Sequence, residues 1–293
     1  MDKNAKIYIA HTGLVSLLKR LQADFTNIVV RNRNELDLLN QKSVSTFFGQ
    51  EKPEYVFLCA AKVGNIEENR EHPADFFYEN MLIQNNVIRN SHIYAKKLLF
   101  VASSTVYPSS DASSLKEDMF GIAQYSPNAS YALAKYVGIN LCQKISEQYH
   151  KTFISCVPTN IYGPDHFGEQ KAHVIALIQR IHDAKVNGDR DVTIWSGKPI
   201  RDFVYVDDAA DAMMFLMQNY TDTSIINITS EEISIALAEL IKKIVYVSLS
   251  CDSTKPDPAR RVLNNSRINE LWKHNTNIET LTKTYEYFLS KLS

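Results

Sequence analysis

Apolar runs without polar alternation punctuate the first half of the chain, at Lys6–Ala10, Asn27–Arg31, Glu54–Cys59, Leu98–Ala102 and Thr152–Val157. They are short and rich in Val, Ile, Leu and Phe, which marks them as strands buried on both faces. Between them, amphipathic stretches near 13–22, 41–50, 74–94 and 127–149 read as helices. Strands that alternate with helices in this way predict a parallel sheet covered on both sides. Right-handed crossovers then make the fold α/β, with a doubly wound Rossmann-type parallel sheet.

The rhythm changes beyond residue 160. A loop-rich segment over 159–170 leads to a helix from His173 to Ala184 and a strand at Val192–Trp195. A helix over Asp208–Gln218 follows, with further helices near 231–243 and 277–291. No repeat, low-complexity tract or linker separates the halves. The expected organisation is a cofactor-binding domain over 1–160, which also receives a later strand near 204–206. A smaller α/β substrate-binding part covers 161–293. Ligands of such folds bind at the carboxyl ends of the strands, so the second part is expected to pack over that edge.

Candidate chemistry lies at the same edge. Tyr131 and Lys135 stand one helical turn apart, so a phenol and an ammonium share one helix face. Upstream, the strand Leu98–Ala102 delivers Ser103 where strand gives way to loop. A hydroxyl there can hold a carbonyl oxygen while Tyr131 gives or takes its proton. An ammonium beside a phenol favours the phenolate, so Lys135 is expected to lower the Tyr131 pKa from about 10. This is equipment for hydride transfer on a ketone or an alcohol. Spacing alone does not carry the point: Tyr287 and Lys291 repeat it near the end of the chain, where they read as a solvated helix end.

The turn after the first strand, Ala10-His-Thr-Gly13-Leu14-Val15-Ser16, is the candidate pyrophosphate cradle. Only Gly13 remains there of a three-glycine pattern. The second strand ends at Arg31-Asn-Arg33 and not at an acidic residue, which favours the extra phosphate of NADP over the free ribose of NAD.

Bulk properties exclude other classes. A net charge of −1 offers no electrostatic footprint for nucleic acid or an acidic membrane. No apolar run approaches the roughly 18 residues of a membrane span. The start, Met-Asp-Lys-Asn-Ala-Lys, runs directly into a strand and does not resemble a signal peptide. Cys59, Cys142, Cys156 and Cys251 are scattered without Cys-x-x-Cys spacing or clustered histidine, as expected of reduced thiols in a cytoplasmic protein without a metal site.

Longer motifs add a resemblance. Glu35-Leu-Asp-Leu-Leu39, Ala60-Ala61-Lys-Val-Gly64, Pro73-Ala-Asp-Phe-Phe-Tyr-Glu-Asn80, Ser103-Ser-Thr-Val-Tyr-Pro108 and Tyr131-Ala-Leu-Ala-Lys135 are joined by four later matches. These are Pro158-Thr-Asn160-Ile-Tyr-Gly-Pro164, His173-Val-Ile175, Arg201-Asp-Phe-Val-Tyr-Val-Asp-Asp208 and Lys255-Pro-Asp257. Together they resemble the extended short-chain dehydrogenases, and most closely the GDP-L-fucose synthase family. That family epimerises and then reduces GDP-4-keto-6-deoxymannose with NADPH. The resemblance implies that Ser103, Tyr131 and Lys135 form a reductase triad, with Lys135 also holding the cofactor ribose. It places Ala10, Gly13, Leu14, Val15, Ala60 and Ala61 along the cofactor, and Pro158 and Asn160 near nicotinamide and sugar. It assigns Arg180 and Arg201 to the GDP pyrophosphate, Arg260 or Arg261 to the nucleotide, and the loop at Trp195 to the sugar pocket. It also implies a homodimer formed by the helices near 74–94 and 131–149.

Three departures qualify the resemblance. Ser16 replaces a small residue of the glycine loop and Thr12 replaces its basic residue, which leaves Arg33 as the partner for the 2′-phosphate. The stretches following Trp195 and Lys255 are each one residue short. Thr105 stands where the family carries a cysteine that, with a histidine (here His173), exchanges protons on the carbons flanking the ketone. A thiol titrates near 8.5 and can do this, whereas a threonine hydroxyl cannot. The expectation is therefore an NADPH-dependent C4 reductase of a GDP-linked 4-keto-6-deoxy sugar, hexose or heptose, that need not epimerise it. A complete bifunctional synthase stays open, with water or His173 replacing the cysteine. So do an epimerase with tightly bound NAD and a degenerate nucleotide-sugar-binding protein. Dehydration is disfavoured, because Ser103-Ser-Thr-Val lacks the acids it needs.

Overall fold

The computed structural model describes residues 1–10, 15–108, 114–121, 129–164, 173–189, 191–195, 202–230, 248–252, 262–273 and 278–292. Five strands of the first half, β1 (Ile7–Ala10), β2 (Ile28–Val30), β3 (Tyr55–Leu58), β4 (Lys97–Val101) and β5 (Thr152–Pro158), are joined by a late one, β9 (Ile226–Ile228). They form one six-stranded sheet in the order β2-β1-β3-β4-β5-β9, and each neighbouring pair is parallel. The doubly wound expectation holds. The order reverses at β1, so the crevice for a ligand opens at the carboxyl ends of β1 and β3.

Register explains how one sheet makes two cores. Tyr8 lies level with Val29 and Val56, Val56 with Leu98, and Leu98 with Phe153, so all five point to one face. There they meet the helices α2 (Gln41–Glu51), α4 (Pro73–Tyr94) and α5 (Ala129–Tyr149), through residues such as Phe47, Phe48, Val87 and Ile139. The alternate set, including Ile7, Ile9, Phe57, Leu99, Ile154 and Cys156, faces α1 (Val15–Gln22) and α7 (Val206–Asn219). Local chemistry sets the helix ends. Asn40 caps α2 by accepting from Ser43 N–H, Asn65 and Glu68 form a capping box on α3 (Ile66–Glu71), and Pro73 opens α4.

One buried charge locks a helix end to the sheet. Lys97 begins β4, and its Nζ donates to the carbonyls of Leu216 (3.0 Å) and Tyr220 in the last turn of α7 and just beyond. A cation at a helix C-terminus satisfies carbonyls that have no intrahelical partner. Burial nevertheless pushes this amine down to about 8.

Several expectations are corrected. The late strand that joins the main sheet is β9, not the segment near 204–206. Phe203–Tyr205 (β8) pairs instead with Asn160–Tyr162 (β6), at the start of the segment expected to be loop. Thr159 hydrogen-bonds the backbone and side chain of Asp202, which holds the two short strands together away from the main sheet. The short α3 (sequence IEENRE) has too few apolar positions to display a period. A further strand, β10 (Ser248–Asp252), pairs parallel with β7 (Asp191–Trp195). The helix expected at 231–243 lies outside the described residues.

The packing of α5 on the sheet depends on a glycine. A Cβ on Gly138 would lie 2.5 Å from Phe100 Cζ and 2.8 Å from Gln84 Oε1. Gln84 in turn donates from Nε2 to the carbonyl of Ala134 (2.8 Å), so neither neighbour can retreat freely. Gly138→Ala is therefore expected to lower stability by about 1–3 kcal/mol through overpacking. A chemical-denaturation midpoint equal to that of the unaltered chain would show instead that the interhelical contact can relax.

Candidate active site

The site is built where β4 ends. Ser103 caps a short 3-10 turn over Ser104–Val106, and its Oγ accepts from Thr105 N–H (3.3 Å) and from the Thr105 hydroxyl (3.1 Å). The loop beyond is anchored by Tyr107, which is fully buried and donates to Asn227 Oδ1 at 2.7 Å. From the neighbouring helix α5, Lys135 reaches back under the loop. It is 2 % exposed, donates to the Val101 carbonyl at 2.8 Å, and lies 4.8 Å above the Phe100 ring and 5.9 Å from that of Tyr131. Tyr131, half-buried one turn earlier, has the Ser103 hydroxyl as a neighbour. Ser103, Thr105, Tyr131 and Lys135 thus come together. The second Tyr-x3-Lys pair is, as expected, a surface feature: Lys291 is exposed and lies 5.1 Å over the Tyr287 ring.

The electrostatics reverse one expectation. Burial pushes Tyr131 up to about 12, and the neighbouring Ser103 hydroxyl offsets only part of that. Lys135 is pushed down to about 8, again by burial. Each group, taken out of water, favours its neutral form. Tyr131 is therefore a phenol that holds its proton, which suits a proton donor.

The cofactor side fits a dinucleotide. The Ala10 carbonyl accepts from both Cys59 N–H and Ala60 N–H (2.8 Å each), which folds the chain after β3 across the end of β1. Ala60 is buried and Ala61 half-buried there, and Asn80 clamps Lys62 through both its N–H and its carbonyl (2.9 Å each). Val15 and the buried Ser16 open α1. Beyond β2, Arg31 is taken up by Glu51 (3.1 Å) and the Phe47 ring. Arg33 is exposed and forms no ion pair among the described residues. The clearest sign of fit is Lys135. An ammonium has three donors, yet among the described residues only the Val101 carbonyl accepts from it, leaving donors for a diol such as a ribose.

On the substrate side Pro158 ends β5, and the half-buried Asn160 donates to the Asp202 carbonyl at 3.2 Å. Arg180 is exposed on α6 (His173–Asn187). His173 starts that helix and Trp195 ends β7, with their side chains outside the described residues, as are Gly13, Leu14, Arg201, Arg260 and Arg261 altogether. Two organising residues were missed from sequence. Asp202, 1 % exposed, accepts from Thr159, Thr229 and the Leu263 N–H, and burial raises its carboxyl above the ordinary range. Asn227 joins Tyr107, Leu115, Glu117 and Asn264. The only sequence signal was, for Asn227, a polar residue between two isoleucines and, for Asp202, its place beside Arg201 in the Arg201–Asp208 motif. No helix among the described residues is long and apolar enough to cross a membrane.

A Ser-Tyr-Lys site at the carboxyl edge of a doubly wound sheet defines a short-chain dehydrogenase-type enzyme. Residues 8–229 match the NAD dependent epimerase/dehydratase family. GDP-L-fucose synthase 1 of Arabidopsis thaliana is 43% identical, covering 99% of this chain and 95% of that one. Among solved structures, a GDP-mannoheptose C4 reductase from Campylobacter jejuni with NADP bound superposes with a TM-score of 0.88, at 34% identity over 99% of each chain. A GDP-6-OMe-4-keto-L-xylo-heptose reductase from C. jejuni gives 0.89, at 33% identity over 99% of each. The chain belongs to the NAD dependent epimerase/dehydratase family, on its GDP-L-fucose synthase branch.

The depressed Lys135 makes this site a stability liability with a definite pH signature. Above its ordinary value of 10.5 the amine is neutral whether the chain is folded or unfolded. As pH falls from there through about 8, the unfolded chain gains the proton first, so stability is lost. The full penalty below that range is about 3 kcal/mol. Lys135→Met is therefore expected to melt above the unaltered protein at pH 7, with a margin that narrows toward pH 10, while activity is lost. A margin that is absent, or constant with pH, would show that the charge is not penalised by burial.

Proposed function

We propose that this chain reduces the C4 ketone of a GDP-linked 4-keto-6-deoxy sugar, hexose or heptose, with NADPH. The observation that carries the reading is the constellation of Ser103, Tyr131 and Lys135 at the end of β4, with Tyr131 kept protonated. Relatives described as GDP-L-fucose synthase and as GDP-heptose C4 reductase support the substrate class, and the NADP in a reductase structure supports the cofactor. The hydride for the ketone carbon is the chemistry supplied by the bound dinucleotide. Ser103 and Tyr131 hold the ketone oxygen, and Tyr131 delivers its proton as negative charge develops there. Lys135 offers its remaining donors to the nicotinamide ribose, Arg33 meets the 2′-phosphate, and Pro158 and Asn160 border nicotinamide and sugar. Residues 1–160 mainly bind the cofactor. His173, Arg180, Trp195, Arg201, Arg260 and Arg261 belong to the nucleotide-sugar half over 161–293.

Epimerisation is not part of this reading. The Thr105 hydroxyl is given to Ser103, and an alcohol does not titrate in the range needed to remove a proton beside a ketone. The test is an assay with GDP-4-keto-6-deoxymannose in D2O, following NADPH optically and deuterium at C3 and C5 by NMR. Oxidation of NADPH faster than NADH, with no deuterium at either carbon, is expected, and Tyr131→Phe should lower the rate by about 10²–10⁴-fold. Deuterium at both carbons would make the chain a complete epimerase-reductase, and absence of oxidation would remove the reductase reading for this sugar.

The same reading includes a homodimer through α4 and α5. Tyr78 and Ile93 on α4 are 63% and 58% exposed. With Leu82 they form a stripe at helical spacing beside the half-buried Leu133, Val137 and Leu141 of α5. Large apolar side chains grouped on one face favour a partner surface over water. Light scattering is expected to give twice the chain mass and to fall to one chain in Leu82→Arg. A monomer before substitution would end the proposal.

A further inference from the structure

Asp202 directly precedes β8 and is 1 % exposed. Its carboxyl accepts from the Thr159 hydroxyl, from the Thr229 hydroxyl at 2.5 Å and from the Leu263 N–H at 2.9 Å. Its main-chain carbonyl accepts from Thr159 Oγ1 at 2.8 Å and from Asn160 Nδ2 at 3.2 Å. One residue therefore ties together the chain leaving β5, the chain leaving β9 and the segment at Leu263, which a parallel bridge joins to Leu115. Among the described residues none of these bonds reaches β1, β3 or α1, which border the dinucleotide crevice. Arg201 directly precedes Asp202, and Arg261 stands two residues before Leu263. From this we infer that Asp202 is a positioning residue for the nucleotide-sugar side of the site, holding Asn160 and the segments next to the substrate arginines in one arrangement. The inference rests on the reductase reading, which is what puts Asn160 and those arginines beside the substrate.

Asp202 acts by hydrogen bonding and not by charge. No cation pairs with it among the described residues, and burial raises its carboxyl above the ordinary range. Thr159 Oγ1 has two acceptors on Asp202 within reach, the carbonyl and a carboxyl oxygen, but only one proton to give. An asparagine keeps this arrangement. Its amide oxygen can accept from Thr229 and Leu263 while its NH2 donates to Thr159, whose own proton then goes to the carbonyl. An alanine instead leaves two hydroxyls and one N–H buried without the acceptor they share. With the segments free to part, the sugar side loses its preformed shape, and substrate binding must restore it.

Four full-length proteins test it: the unaltered chain, Asp202→Ala, Asp202→Asn and the milder Thr159→Val, which removes one hydroxyl and keeps its shape. The readouts are KM for GDP-4-keto-6-deoxymannose and, by calorimetry without turnover, Kd for GDP and for NADPH. Asp202→Ala is expected to raise the sugar KM and the GDP Kd about tenfold, with the NADPH Kd within about twofold. Asp202→Asn should bring both raised values back to within about threefold of the unaltered chain. Thr159→Val should raise the sugar KM and the GDP Kd about threefold, and it carries the test if Asp202→Ala does not fold. Unchanged values in Asp202→Ala and Thr159→Val overturn the inference, whatever happens to the melting temperature. So does an equal weakening of NADPH, which would mark a general loosening, or an Asp202→Asn protein as impaired as Asp202→Ala, which would make the charge the operative feature. If the unaltered chain binds GDP but leaves the sugar unreduced, the reductase reading fails by itself, and the GDP affinities still decide whether Asp202 positions this side. If it binds no GDP, both fail together.

Discussion

The hydrogen bond from Lys135 to the Val101 carbonyl is the contact on which the rest of the site depends. Ser103 is carried by the end of β4 and Tyr131 by α5, and apolar packing between a strand and a helix resists separation but not sliding. A buried ammonium bonded to the last strand carbonyl removes that freedom. It fixes the helix along the strand, and thereby the phenol against the serine. Gly138, one turn further on, lets the helix sit close enough over Phe100 for the reach to be possible. The arrangement has an energetic penalty, since burial disfavours the charge, and a function that needs Lys135 must accept it.

A second set of buried polar groups holds the later part of the chain to the same edge. Asp202 gathers Thr159, Thr229 and Leu263, while Asn227 gathers segments near 107, 115, 117 and 264. Both are deeply buried and fully engaged, which is the condition under which buried polar groups give specificity. Asp202 is next in sequence to Arg201, and Thr159 lies between Pro158 and Asn160. The network thus joins segments that carry candidate substrate residues, and the loop after Ser103 is part of it through Tyr107.

What could be read from the sequence follows the distance over which each signal acts. Helix α4 was expected at 74–94 and runs Pro73–Tyr94, because its length, its apolar period and its opening proline are all local. Strand β9 carries Asn227 in the middle of three residues, too short a run for its alternation to count, so only its pairing with β5 reveals it. The Ser103, Tyr131 and Lys135 constellation was legible because a strand end and a helical turn place those groups predictably. Asp202 and Asn227 were not, since nearly all of their partners are remote in sequence. The pKa of Tyr131 was expected in the wrong direction for a related reason. Spacing reports that an ammonium is near, but not how much water both groups have lost.

That reversal bears on the chemistry. An oxidising enzyme of this design gains from a tyrosinate ready to take a proton, whereas reduction of a ketone needs a tyrosine that arrives with one. A phenol held above its ordinary pKa supplies the proton at any physiological pH, provided that the proton is aimed at the substrate. Residue 105 concerns a different set of protons. A thiol there can exchange protons with carbon, whereas a threonine hydroxyl, bound here to Ser103, is no acid–base catalyst. The Tyr131 proton that reduction consumes is thus supplied independently of residue 105, while the protons that epimerisation exchanges find no acid–base group at that position.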